Sequence, residues 1–298
     1  MADHHQHNAA AEADSSAMAE LLDLGAEVLS PILSELTGLV RGLAAGLPVR
    51  RILDLGSGTG AGVFALLRRF EEADAIAVDA SAPFLRRLEA RARDLGLADR
   101  VRTIEADLDV AWPATGAVDL VWASASLHHF ADPGRIVAAV FGALRPGGLL
   151  TVLEMSSFPR FLPYDLGIGR PGLEDRCHAA LAEARAAEMP NLGSDWGPPL
   201  VQAGFTIEAE RALTVDLSPP LPASAGWYAR ISLQRARSRL GGRLGSDDLA
   251  TLDTIIDGGG PEGVLRRGDL TVRAERTAWV ARRPSVREPT AVGDVRKD

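Results

Sequence analysis

Apolar and polar positions along the first half of the chain switch repeatedly between a helical and a strand period. From Glu20 to Leu47 the residues Leu21, Leu24, Val28, Ile32, Leu36, Val40 and Leu43 recur at helical spacing, and Pro31 divides the run into two helices. Leu53 and Leu55 then alternate with Ile52 and Asp54 as in a strand, and Val63 to Phe70 returns to the helical period. Between them lies Gly56-Ser57-Gly58-Thr59-Gly60-Ala61-Gly62, which predicts a strand, a tight turn and a helix. Ala75 to Asp79 reads as a second strand. Ser81-Ala82-Pro83 opens a helix that Gly96 closes. Val101 to Glu105 and Val118 to Ala123 are the third and fourth strands. Asp132-Pro133 starts a helix running to Leu144, and Pro146-Gly147-Gly148 turns the chain into a fifth strand, Leu149 to Leu153. Strands that alternate with helices in this way form a parallel sheet.

Past Glu154 the pattern is sparser. It predicts a helix over Leu173 to Met189, a strand from Thr206 to Val215, a stiff break at Pro219-Pro220-Leu221-Pro222, helices over Ala225 to Leu240 and Asp247 to Ile256, and a closing strand from Leu270 to Arg282. About 55 residues separate the last two strands, too many for a hairpin loop, so a helical cap over 216–269 is expected beside the mouth of the site. The chain divides into a disordered tail (1–16), a helical cover (17–47), a core (48–155), a variable half (156–283) and a second disordered tail (284–298).

The glycine turn is where chemistry is expected. Gly56, Gly58 and Gly60 lack a Cβ, so the backbone can turn sharply and present N–H groups to a ligand, beside the positive end of the following helix. Gly56-x-Gly58-x-x-Ala61 also satisfies the dinucleotide fingerprint, and Asp79 stands about 20 residues on, where an acid holds a ribose hydroxyl pair. Five ordered blocks narrow the choice: Asp54 to Gly60, Val78-Asp79-Ala80-Ser81, Ala106-Asp107-Leu108, Val118 through Leu127-His128-His129-Phe130, and Leu144-Arg145-Pro146-Gly147-Gly148. Together they resemble the successive motifs of class I S-adenosylmethionine-dependent methyltransferases, nearest the ubiquinone/menaquinone-biosynthesis-like small-molecule group, over about residues 45 to 155.

The resemblance implies an α/β fold, a Rossmann-like seven-stranded mixed sheet with its last strand antiparallel and helices on both faces. It implies S-adenosyl-L-methionine as cofactor, with Gly56, Gly58 and Gly60 beside the methionyl and ribose portions and Asp54 fixing that loop and the amino acid end. Asp79 would take the ribose hydroxyls, Asp107 the adenine amino group and the backbone of Leu108 the adjacent ring nitrogen; Ser57, Ala80 and Ser124 complete the cofactor set. His128 and His129 follow the fourth strand, where a histidine can exchange protons near neutral pH, and both are candidate catalytic groups; a loop-fixing hydrogen bond is the other reading. The variable half offers Phe158, Arg160, Tyr164, Trp196, Trp227, Tyr228 and Arg230 as pocket walls, with Trp227 and Tyr228 on different helix faces.

Composition removes several classes. The 298 residues carry 32 Lys and Arg against 40 Asp and Glu, a net charge of −8, with no basic cluster for a nucleic acid. Cys177 is the only cysteine, which excludes an intrachain disulfide and fits a reducing, cytoplasmic setting. No run approaches the length needed to cross a bilayer. His4, His5 and His7 have nothing near them in sequence to fix a metal, and no acid pair follows the fourth strand, so no metal is expected. The reading is methyl transfer to O, N or C of a small, partly apolar metabolite, of the kind made in secondary metabolism, with a homodimer left open. The alternatives are a nicotinamide-dependent oxidoreductase, against which stands the lack of a Tyr-x-x-x-Lys pair, and a non-catalytic cofactor-binding module of the same fold.

Overall fold

The structure, a computed structural model, describes residues 2–285. Seven strands form one sheet: β1 (Arg51–Leu55), β2 (Asp74–Asp79), β3 (Val101–Glu105), β4 (Val118–Ser124), β5 (Leu144–Met155), β6 (Thr206–Leu217) and β7 (Val272–Arg282). Their order is β3-β2-β1-β4-β5-β7-β6. Strands β1 to β5 pair in parallel, and β7 runs antiparallel to β5 and β6. The Rossmann-like mixed sheet expected from the motifs is therefore the observed one. Strands β1 and β4 sit at its centre and are buried along nearly their whole length, which is why they read as almost unbroken apolar runs.

Strand alternation sends neighbouring residues to opposite layers. Ile52, Leu120, Trp122, Leu153 and Val280 join the core under α2 (Ser30–Leu43), α3 (Ala61–Leu67) and α4 (Ala82–Asp94). Leu53, Leu55, Val121, Ala123 and Trp279 join the core under α5 (Pro133–Ala143) and α7 (Gly197–Gln202). A third core lies off the sheet. It gathers Val28, Phe161, Leu181, Leu233, Ile255 and Val272 from α1 (Ala2–Val28), α6 (Leu173–Glu188), α8 (Ala223–Arg239), α9 (Ser246–Asp257) and the start of β7. The long connection between β6 and β7 thus has an interior of its own, shared with the N-terminal helix.

Local chemistry sets the helix boundaries. Pro31 sits at the first turn of α2, three residues past the end of α1. The side chains of Ser81 and Asp132 accept from Phe84 N and Arg135 N and so cap α4 and α5. Two expectations change. Helix α1 begins at Ala2, where a disordered segment was expected to Ser16, and the alanine-rich composition favours the extension. Strand β5 begins at Leu144 rather than Leu149, because the Pro146-Gly147-Gly148 turn stays within the extended chain. Residues 286–298 of the expected C-terminal tail lie outside the described residues. No helix among the described residues is long and apolar enough to cross a membrane.

Gly60, the residue capping α3, has φ +88°, and a Cβ there would lie 2.7 Å from Leu88 Cγ and 2.8 Å from Phe64 Cε2. Gly60→Ala combines a left-handed backbone with overpacking, and urea unfolding should show a loss of about 2–4 kcal/mol. An unchanged midpoint would mean that α3 and α4 do not meet through this turn.

Candidate functional site

The C-terminal ends of the central strands face a cavity of about 400 Å³. Its sheet-side wall is built by one face of successive strands. Asp54 pairs in register with Trp122, Ser124 with Leu153, and Met155 with Arg276, and all six line the cavity. Gly56, Ser57, Gly58, Thr59 and Gly62 close the sheet end. Helices α1 and α2 lie across the opening and supply Met18, Leu21, Leu22, Ile32 and Leu33, with Leu29 between them. The far wall comes from Phe158 and Phe161, from His178 and Arg185 of α6, and from Tyr228 and Leu233 of α8.

Asp54 is 2% exposed. Burial, and secondarily the neighbouring charge of Asp79, push its carboxyl up to about 8, while the Val63 backbone N–H favours the ionised form. A Cβ at Gly62 would lie 2.6 Å from Trp122 Nε1 and 2.9 Å from Asp54 Oδ2. Glycine at 62 is what lets α3 start against these two groups. Trp122 Nε1, Ser57 Oγ and Ser126 Oγ are buried without a hydrogen-bond partner among the described residues. Buried polar atoms are normally paired, so Trp122 and Ser57, which line the cavity, have a donor and a hydroxyl free for a polar ligand.

The loop after β4 is held from beneath by one carboxylate. Glu154 Oε1 accepts from Ser126 N (3.0 Å) and Leu127 N (2.8 Å), and Glu154 Oε2 lies 2.6 Å from His128 Nδ1. Both side chains are almost fully buried. Ala125 at the top of this loop has φ +50°, a left-handed conformation seldom taken by a residue with a Cβ. His128 is therefore a group that fixes the loop. His129 is turned outward at the cavity edge, with its pKa lowered by partial burial and by His128, so its ring is neutral near pH 7.

Other expected site residues are placed differently. Asp79 accepts from Gly58 N through Oδ2 and from Ser81 N through Oδ1, both at 2.8 Å, and burial raises its pKa. Asp107 Oδ1 accepts from Asp109 N at 2.9 Å, as a turn-forming acid does. Asp79, Ala80, Asp107 and Leu108 lie outside the cavity wall. A carboxylate offers about four lone-pair directions, so each retains accepting capacity at its strand tip. Gly60 does not border the cavity either; its missing Cβ serves packing.

Among the proposed pocket walls, Phe158 and Tyr228 line the cavity, whereas Trp227 and Tyr164 are exposed and Trp196 belongs to the core under α5 and α7. Arg160 pairs with Asp175 and Arg230 with Asp257. The pattern missed Arg276, Arg185 and His178, and nominated nothing from α1. Val272, Ala274, Ala278 and Val280 are buried at alternate positions of β7, and Arg276 occupies a place in that series. A charge in an apolar alternation was the available signal.

Comparison with known proteins bears on the segment from β1 to the start of β5. Residues 52–148 match the family of methyltransferase domains. That segment, about a third of the chain, is similar to methyltransferase domains. A demethylmenaquinone methyltransferase of Thermus thermophilus is 36% identical over 112 residues, covering 37% of this chain and 50% of that protein. A malonyl-[acyl-carrier protein] O-methyltransferase of Laribacter hongkongensis is 33% identical over 175 residues, 56% of this chain and 55% of that one. The chain spans about half or less of the length of the first curated relatives it matches. In three dimensions the YcgJ protein of Bacillus subtilis superposes with a TM-score of 0.52 at 15% identity, covering 84% of this chain and 98% of that one, a likeness of fold.

Glu154→Ala would leave His128 Nδ1 and two loop N–H groups without their acceptor, and chemical denaturation should show a loss of about 3 kcal/mol or more. His129→Ala, at an outward-facing position, should stay within about 0.5 kcal/mol of the parent. Equal losses would remove the distinction between the two histidines.

Proposed function

We propose that the protein transfers a methyl group from S-adenosylmethionine to a small, partly apolar acceptor. The observation behind this is the cavity that joins the glycine loop to the loop after β4, with a buried carboxyl at one end and apolar walls at the other. The domain match favours it over the nicotinamide reading of the same glycine turn, and the named activities of the relatives are methyl transfers.

The residues present fit the cofactor. Asp54 suits the ammonium of the amino acid end, and the unpartnered Ser57 Oγ and the loop N–H groups suit its carboxylate. Asp79 and Asp107, at successive strand tips, are proposed for the ribose and adenine through their remaining lone pairs, with Ala80 and Leu108 beside them. When bound, the cofactor supplies an electrophilic methyl on a sulfonium. The chain's own contribution is alignment and exclusion of water. Helices α1 and α2 cover the opening, Glu154 and His128 fix the loop that follows Ser124, and His129 is the neutral group able to take a proton from an acceptor hydroxyl or amine.

Asp54 gives the test. At pH 6 to 7 its carboxyl is mostly protonated, and pairing with an ammonium requires that proton to leave. Affinity for S-adenosylhomocysteine, measured by calorimetry, should rise by up to about tenfold per pH unit from pH 6 and level off above about 8. Asp54→Asn should bind more weakly and lose this slope. No binding of S-adenosylhomocysteine at any pH would contradict the reading, and a flat profile in the parent would contradict the role of Asp54.

A further inference from the structure

The wall facing the glycine loop contains cationic and hydroxyl groups that methyl transfer itself does not require. Arg276 is 8% exposed and lines the cavity. Its Nη1 donates to the carbonyls of Glu275 (2.9 Å) and Ser157 (3.5 Å). A guanidinium has five N–H groups, so the rest of the fork has no acceptor among the described residues. Glu154, the acid whose charge Arg276 feels, directs its oxygens to Ser126, Leu127 and His128. Tyr228 is 6% exposed and lines the same wall, with no hydrogen-bond partner for its hydroxyl among the described residues. Its ring packs edge-on to Phe161 at 5.4 Å, and Gly25 of α1 makes room for it, since a Cβ there would lie 3.1 Å from the ring. Farther along, Arg185 lies 3.3 Å over the Phe158 ring with its Nε buried and unpartnered. A buried cation with unmet donors is costly until an anion meets it.

We propose that the acceptor is an apolar molecule bearing a carboxylate, and that Arg276 and Tyr228 anchor this carboxylate while another part of the molecule meets the methyl donor. The inference rests on the methyl-transfer reading and specifies its substrate class. A planar guanidinium fork with one adjacent hydroxyl matches the two oxygens of a carboxylate. The rest of the wall, with Leu21, Leu29, Leu181 and Leu233, suits a hydrocarbon portion. Register sets the spacing. Ser124 faces Leu153 on β5, Leu153 faces Ala278 on β7, and Arg276 lies two residues beyond Ala278 on the same face. Two strand spacings and two residues separate the Ser124 and Arg276 backbones by about 12 Å. An anion held by a guanidinium is also a poor nucleophile, so the carboxylate serves as a handle for positioning.

The test compares decanoate with methyl decanoate by calorimetry on the full chain, with and without S-adenosylhomocysteine. Decanoate should bind at least about tenfold more tightly than its ester, Arg276→Met should bring the two to within about threefold, and Tyr228→Phe should narrow the gap by about threefold. Equal binding of acid and ester, or binding of neither, overturns the anchor, and that comparison needs no variant. A preference that survives in a folded Arg276→Met also overturns it; if that variant does not fold, survival of the full preference in Tyr228→Phe decides against it. Loss of S-adenosylhomocysteine binding with the acid preference intact would remove the methyl-transfer reading and leave the anion site standing. The reverse result would remove the anchor alone.

Discussion

The ends of β1 and β4 meet at a contact that only a residue without a side chain allows. A Cβ on Gly56, which has φ +65°, would lie 2.7 Å from Ser126 Cβ, so the glycine loop and the loop after β4 touch backbone against side chain. From that contact the rest of the site follows. Ser126 N is held by Glu154, Glu154 also holds His128, and Gly58 N is held by Asp79. The two loops are thereby fixed relative to one another, and the space above them is the cavity. Any larger residue at 56 would part the loops and release the network beneath.

Arrangement of the sheet and arrangement of the site were legible to different degrees. The strand and helix periods, Pro31, the caps at Ser81 and Asp132 and the glycine turn are local signals, and the observed elements begin and end close to them. Asp54 was legible as well, as an acid within an apolar strand. Asp79 and Asp107 show where local signals stop. An acid at a strand tip can face a ligand or satisfy nearby N–H groups, and the choice depends on loop geometry that spacing alone does not encode. His128 likewise looked able to move protons, and its partner Glu154 stands 26 residues away on the next strand. Arg276 was legible in principle, because a charge replaces an apolar residue in the alternation of β7.

The cap explains why the variable half looked patternless. Helices α6, α8 and α9 do not pack on the sheet as the earlier helices do; they build the third core with the end of α1. Their apolar residues answer to that core and to the cavity at once, which blurs a single amphipathic stripe. The ion pair of Asp23 with Arg87 ties α1 to α4, and Ser224 bonds Glu27, so the N-terminal helix is fastened to both the domain and the cap. A cofactor end on the sheet and an acceptor end in the cap thus share one roof.

The central claim is that the space above the glycine loop receives the amino acid end of S-adenosylmethionine. A crystal structure of the protein with S-adenosylhomocysteine tests it most directly. The account predicts the ligand's ammonium beside Asp54, its carboxylate on Ser57 and the loop N–H groups, and its sulfur turned toward the loop of Ser124 to His129. A ligand bound elsewhere, or one seated with its adenine against Asp54, would contradict it.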